Sequence, residues 1–339
     1  MFKKLITEIK NTIIEEYKFI IALLLLYSIL QIPLNYYIVI GGGVSDVAKR
    51  IKVEDKYNSK GSFNISYVSE LEGTILTYAL SYIIPSWERE DADNYKYNAN
   101  ESIEDIDFRS DIDLKYANEK AKYWAYTLAD KEVQEVSSKL YIITIFDGYE
   151  TDLKVQDQIL SMDNQSYKTI KEYQDYLQTK EENEFVEIKV LRNNKEKVVK
   201  SKLYKYKDRL ILGIGLELIK EYKTDPKVKV KFKKSESGPS AGLIATLEIY
   251  NQLTKKDLTK GYKIAGTGTI EEDGTIGEIG GITYKLLGAS KSKTDIFLVP
   301  ADNYQEALKY KKKHHLKIKL IKVKNIESAI NKLEELKWK

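Results

Sequence analysis

Phe19 to Leu34 reads FIIALLLLYSILQIPL, an almost unbroken apolar run that Tyr36, Tyr37, Ile38, Val39 and Ile40 extend. A stretch approaching ~20 apolar residues has the length needed to cross a bilayer. Lys18 at its start can snorkel, and Tyr36 and Tyr37 suit a lipid interface. A cleaved signal peptide fits poorly, since the apolar part is long, begins late and is followed by no A-x-A site. A buried core helix is the competing reading. The expectation is one transmembrane anchor over residues 19–40, with Pro33 near its end and a cytoplasmic tail at residues 1–18. Lysines and arginine flank the run on both sides (Lys3, Lys4, Lys10 and Lys18 before; Lys49, Arg50 and Lys52 after), so charge says little about orientation. No second run of similar length occurs, so a single-pass protein of the cell membrane is expected, its short leading tail most simply staying in the cytoplasm. Its larger part would be extracytoplasmic and residues 19–40 would meet the lipid bilayer.

Composition narrows the chemistry further. The 339 residues allow two or three domains. Fifty-five basic side chains stand against 51 acidic ones, a formal charge of +4, which argues against a nucleic-acid partner. Cysteine is absent, so thiol nucleophiles, disulfides, thiolate zinc sites and iron–sulfur clusters are excluded together. Histidine occurs only at His314 and His315, and an HExxH metal site cannot be written. No metal and no cofactor is expected. Catalysis would have to use Ser, Thr, Lys, Tyr or a carboxylate.

Beyond the apolar run, residues 41–138 read as a supporting region without chemistry: a turn at Gly41–Gly43 leading to a short helix, and a strand from Phe63 to Val68. An acidic loop over 88–113 follows, then a helix whose face carries Ala117, Ala121, Trp124, Ala125 and Leu128. Residues 139–204 form the next unit: strands at Leu140–Ile145 and Gln158–Asp163, a helix over Thr169–Gln178, and a hairpin turning at Asn193-Asn194. Residues 205–339 complete the chain. Its basic run Lys309–Lys324 reads as a helix end followed by a surface strand, with Leu316, Ile318, Leu320 and Ile321 turned inward. The fold class expected is α+β.

Gly238-Pro239-Ser240-Ala241-Gly242 is a turn opening a helix, where free amides and the helix dipole favour developing negative charge. A serine there can attack a carbonyl whose oxyanion nearby N–H groups stabilise; an ordinary N-cap is the bland alternative. With histidine nearly unavailable, a base must be found elsewhere. Lys285 follows Gly280-Gly281-Ile282-Thr283-Tyr284 at the start of another helix. A free lysine, with a pKa of about 10.4, is protonated at neutral pH. Burial penalises the charged form and can release a neutral amine for general-base work.

GPSAG followed forty-five residues later by the lysine of GGITYK resembles the proteolytic domain of the Lon family. The intervening KIAGTGTIEEDGTIGEIGG agrees, most closely with the membrane-anchored, PDZ-containing Lon-like proteases of Gram-positive bacteria. The resemblance implies a Lon-type proteolytic domain (ribosomal-protein-S5-domain-2-like α/β) over 205–339, with Ser240 the nucleophile and Lys285 the general base. Thr267 in AGTG would help orient the lysine, and Gly238, Pro239, Ala241 and Asn303 would support the site. The order of elements over 139–204 is similar to part of a bacterial PDZ domain. Such a domain captures an extended peptide as an added strand; here the groove would involve Leu140–Ile145 and the Lys168–Leu177 helix. No GxxxxGK[ST] phosphate loop occurs in the chain. The expected function is therefore an ATP-independent serine endopeptidase acting on exported peptides or unfolded segments, possible as a homo-oligomer because Lon-type domains often form rings. A non-catalytic peptide-binding scaffold with a Lon-like fold is the alternative.

Overall fold

The computed structural model describes residues 14–84, 86–233, 236 and 238–339; most of the expected cytoplasmic tail lies outside the described residues. The chain forms two compact units, residues 1–41 with 69–95, and residues 42–68 with 96–339.

In the first unit the expected membrane-spanning helix over 19–40 does not form. Helix Tyr17–Leu30 has 14 residues, about 21 Å at 1.5 Å per residue, short of a hydrocarbon core of about 30 Å. Pro33 then opens the strand Pro33–Asp46, where the β-branched and aromatic residues of YYIVI favour extended backbone. Among the described residues no helix is long and apolar enough to cross a membrane. Helix Tyr17–Leu30 nevertheless buries none of its side chains. Residues Tyr36–Ile40 pair antiparallel with the strand Trp87–Asp91, part of the stretch expected to be a loop. Helix Ile75–Ser81 starts at a Thr74 capping box, and its Tyr78 packs on Tyr36 and Tyr82.

The second unit is built around parallel strands. Lys319–Val323, Ile296–Pro300, Lys263–Gly266 and residues 62–65 of the strand Ser62–Thr74 lie side by side in that order. Both faces are covered, and the central strand Ile296–Pro300, IFLVP, is apolar and buried throughout. Ile264, Ile296, Leu298, Ile321 and Phe63 face one core, which helix Gly242–Leu253, helix Ile103–Leu128 and helix Ile326–Glu334 complete. Ala265, Phe297 and Val299 face the other, under helix Ile282–Lys291 and Ala307 of helix Tyr304–Lys313.

The supporting region is thus part of this core. Ala117, Ala121 and Ala125, expected on one helix face, are buried. Their helix begins at Ile103 rather than after an acidic loop, because Ser102 and Asp105 form a capping box. Gly41–Gly43 is no turn: the strand runs on to Asp46, and a Cβ on Gly42 would stand 2.4 Å from the Tyr67 carbonyl oxygen.

A five-stranded antiparallel sheet occupies residues 132–225, beyond the expected limit of 204. Its order is Ile214–Asp225, Glu132–Ile145, Gln158–Met162, Phe185–Arg192, Lys195–Lys202. The hairpin turns at Asn193 and Asn194, both with positive φ, as a two-residue type I′ connection requires. Leu140–Ile145 pairs with Ile214–Asp225 along its length, and with Gln158–Met162 only at Leu140 and Tyr141.

Candidate active site

Helix Gly242–Leu253, the serine helix, lies on one face of the parallel sheet, and helix Ile282–Lys291, the lysine helix, on the other. Ser240, in the turn just before the serine helix, and Lys285 of the lysine helix meet at the carboxyl end of strand Lys263–Gly266, where Thr267 continues the chain. The Lys285 Nζ stands 3.2 Å from the Ser240 Oγ and 3.3 Å from the Thr267 Oγ1. Lys285 is only 6% exposed and Thr267 is fully buried.

The serine turn is held by its backbone. Gly238 adopts φ 80°, ψ 165°, a region essentially confined to glycine, and its N–H donates to the Ser110 carbonyl at 3.1 Å. Pro239, Ser240 and Ala241 form a single 3₁₀ turn leading into the serine helix. The Ser240 carbonyl accepts from Gly268 N at 2.9 Å and from the Thr267 hydroxyl at 3.3 Å. Ser240 makes no side-chain cap to the helix, so the ordinary N-cap role does not apply and the hydroxyl faces the amine. Ala241 is buried, and its small side chain lets the turn pack closely.

The lysine helix opens at Gly281, whose left-handed backbone (φ 67°, ψ 30°) a residue with a Cβ adopts only under strain. Asn303, buried after strand Ile296–Pro300, makes both bonds to the main chain of Ile279 just before that helix. The structure therefore brings Ser240, Lys285 and Thr267 into one cluster. Gly238, Pro239 and Ala241 shape its serine side, and Asn303 acts on the lysine side without touching the pair. Two contributors carry no sequence motif, the Ser110 carbonyl and the Ser66 hydroxyl, which donates to the Lys285 carbonyl at 2.7 Å. Only the strand register, with Ile65 opposite Gly266, brings Ser66 level with Thr267.

Deeper along the serine helix, Glu248 is buried beside Gln252, and burial pushes its carboxyl up to about 6. It lies two turns beyond Ser240 and belongs to the core rather than the site.

Residues 230–335 match the family model of the Lon protease (S16) C-terminal proteolytic domain. This segment is similar to a Lon-type proteolytic domain. The chain is 29% identical over 98 residues to the Lon protease of Aster yellows witches'-broom phytoplasma, covering 29% of this chain and 12% of that protein. It thus spans about an eighth of that relative's length. Two solved PDZ domains each match about a quarter of the chain. That of an SdrC-like protein from Listeria innocua is 27% identical, covering 23% of this chain and 92% of that domain at a TM-score of 0.22. Its counterpart from Listeria monocytogenes is 22% identical, covering 24% and 92% at 0.23. The Lon match begins after strand Ser62–Thr74 and helix Ile103–Leu128, yet both complete the core around it.

Proposed function

We propose that this chain is an ATP-independent serine endopeptidase that cleaves extended peptides or unfolded protein segments, with Ser240 as nucleophile and Lys285 as general base. The observation that carries the reading is the 3.2 Å approach of a buried lysine amine to the serine hydroxyl. Burial makes the ammonium form costly, which favours a neutral amine able to accept a proton. Lys285 takes the Ser240 proton as Oγ bonds to the scissile carbonyl carbon. The amides and dipole at the start of the serine helix stabilise the oxyanion. Collapse of the tetrahedral adduct breaks the C–N bond, and the leaving amine receives the proton from Lys285. Water, deprotonated by the same amine, then attacks the acyl-enzyme and restores Ser240. Thr267 holds the amine in line. The lack of a phosphate loop anywhere in the 339 residues supports independence from ATP.

We place peptide capture on the edge strand Ile214–Asp225, whose half-buried Ile214, Leu216 and Leu218 pack on the core that holds helix Ile170–Leu177. Attachment to a lipid bilayer through helix Tyr17–Leu30 is supported by its unburied apolar side chains. Phe19, Leu24, Leu25 and Tyr27 are each at least 60% exposed there, an apolar display that water penalises.

Incubation of the whole chain with fluorescein-labelled casein, without nucleotide, tests the enzyme reading. Peptide release should fall to background in both Ser240→Ala and Lys285→Ala. Undiminished turnover in either variant defeats the dyad. A folded wild type that releases nothing favours the non-catalytic scaffold. Flotation with anionic vesicles, lost on Leu24→Asp with Leu25→Asp, tests the lipid contact separately.

A further inference from the structure

Ser66 lies on strand Ser62–Thr74, outside the segment that matches Lon proteolytic domains. It is 1% exposed, and its hydroxyl donates to the Lys285 main-chain carbonyl at 2.7 Å. Phe63 and Ile65 of the same strand pack toward the serine helix. Strand alternation therefore turns Asn64 and Ser66 to the opposite face, where the lysine helix sits. Asn64 spends its amide on the sheet itself, donating to the carbonyls of Ser62 and Ile264. Ser66 alone of the two reaches across to the helix that carries the base.

A bond at that carbonyl acts on a long lever. A lysine Nζ stands roughly 8 Å from its helix axis, the ~2.3 Å radius of the Cα cylinder plus an extended side chain. A helix rotation of about 10° would move it by about 1.4 Å, enough to take a 3.2 Å contact beyond hydrogen-bond range. Thr267 meets the amine itself at 3.3 Å, and two further ties act away from Lys285. Asn303 holds Ile279 ahead of the helix, and Gly288 meets the backbone of Gly42 one turn further on. The Ser66 bond is made at Lys285 itself.

We propose that Ser66 is a positioning residue for the dyad: by anchoring the Lys285 carbonyl it fixes the rotation of the lysine helix and so the reach of the amine to Ser240. The proposal rests on the dyad reading and adds a residue of the N-terminal strand to it. Reacting atoms displaced by about 1 Å can cost up to ~100-fold in rate.

The test compares Ser66→Ala, Ser66→Thr and Ser66→Cys with wild type in the full chain, using labelled casein. Kinetics, thermal midpoint and the pH profile of kcat are read together. Ser66→Ala should lower kcat about 10- to 100-fold with KM nearly unchanged. The pH midpoint of kcat should shift as the amine loses its fixed place beside the hydroxyl. Ser66→Thr, which keeps the hydroxyl, should recover most of the rate, and Ser66→Cys, a weaker donor of similar shape, should fall between. If the alanine variant does not fold, the threonine and cysteine variants give the same comparison. Wild-type kcat and pH profile in Ser66→Ala overturn the proposal, as does a loss in all three that follows only the thermal midpoint. Lys285→Ala is assayed alongside. Turnover surviving there sinks the dyad, whereas its loss with an unaffected Ser66→Ala sinks only the role of Ser66.

Discussion

Asn303 binds the main chain of Ile279 in both directions, accepting from its N–H at 2.9 Å and donating to its carbonyl at 3.0 Å. Twenty-four residues separate the two, and the pair pins the segment that feeds the lysine helix. Asn303→Ala leaves two polar backbone groups without this partner, a loss of ~1–3 kcal/mol. Thermal unfolding should show the lower midpoint, and casein turnover should fall with it. The exposed neighbour Asp302, changed to alanine, should stay within ~0.5 kcal/mol of wild type.

Lys285→Arg should be inactive although it keeps a positive charge and a long stem. A guanidinium does not lose its proton at accessible pH, so it cannot take the Ser240 proton. Its planar head also has to fit where one Nζ sits between two hydroxyls. Retained casein hydrolysis by this variant would mean that charge, not basicity, is what the position supplies.

The motifs around Ser240 and Lys285 were legible because each is local: a turn before a helix, a glycine pair before another. Their meeting across the sheet was not, since the forty-four intervening residues say nothing of which faces two helices cover. The apolar run misled for a physical reason. Hydrophobicity alone sets a length, but Pro33 and the β-branched residues behind it divide the run into helix and strand. The Leu140–Ile145 strand is legible, but its pairing along its length depends on a partner about seventy residues away. Ser66 carried no motif because its bond is to a backbone carbonyl, which leaves no complementary residue to recognise.

Two glycines should respond unequally to alanine. A Cβ on Gly288 of the lysine helix would meet Gly42 C and O at 3.0 Å and Gly43 N at 3.1 Å, all backbone. Alanine gains up to ~1 kcal/mol in helix propensity, but overpacking against backbone costs ~1–3 kcal/mol, so a small net loss is expected. Gly42→Ala should be worse, since its Cβ would stand 2.4 Å from the Tyr67 oxygen and 2.6 Å from the ring. Denaturant midpoints of the two variants check the order. The reverse order would mean that the strand at Gly42 moves more freely than the lysine helix.

Glu248 makes stability depend on pH in a direction opposite to that of a salt-bridged carboxylate. Burial, the largest cause, raises its pKa from 4.5 to about 6, partly opposed by the bond from Gln252. The folded state therefore holds the proton more tightly than the unfolded chain does. Its stabilising contribution is full below pH 4.5 and is lost as pH rises through about 6. At 1.36 kcal/mol per pKa unit, the loss is about 2 kcal/mol. Glu248→Gln keeps an oxygen to accept from Gln252 Nε2 but cannot ionise. At pH 8 it should be more stable than wild type by up to about 2 kcal/mol, and at pH 4 nearly equal to it. Urea unfolding at the two pH values reads the difference. Equal stability gaps at both would show that the carboxylate finds a compensating cation when the core ionises, with Lys56, whose charge already favours the ionised form, the first candidate.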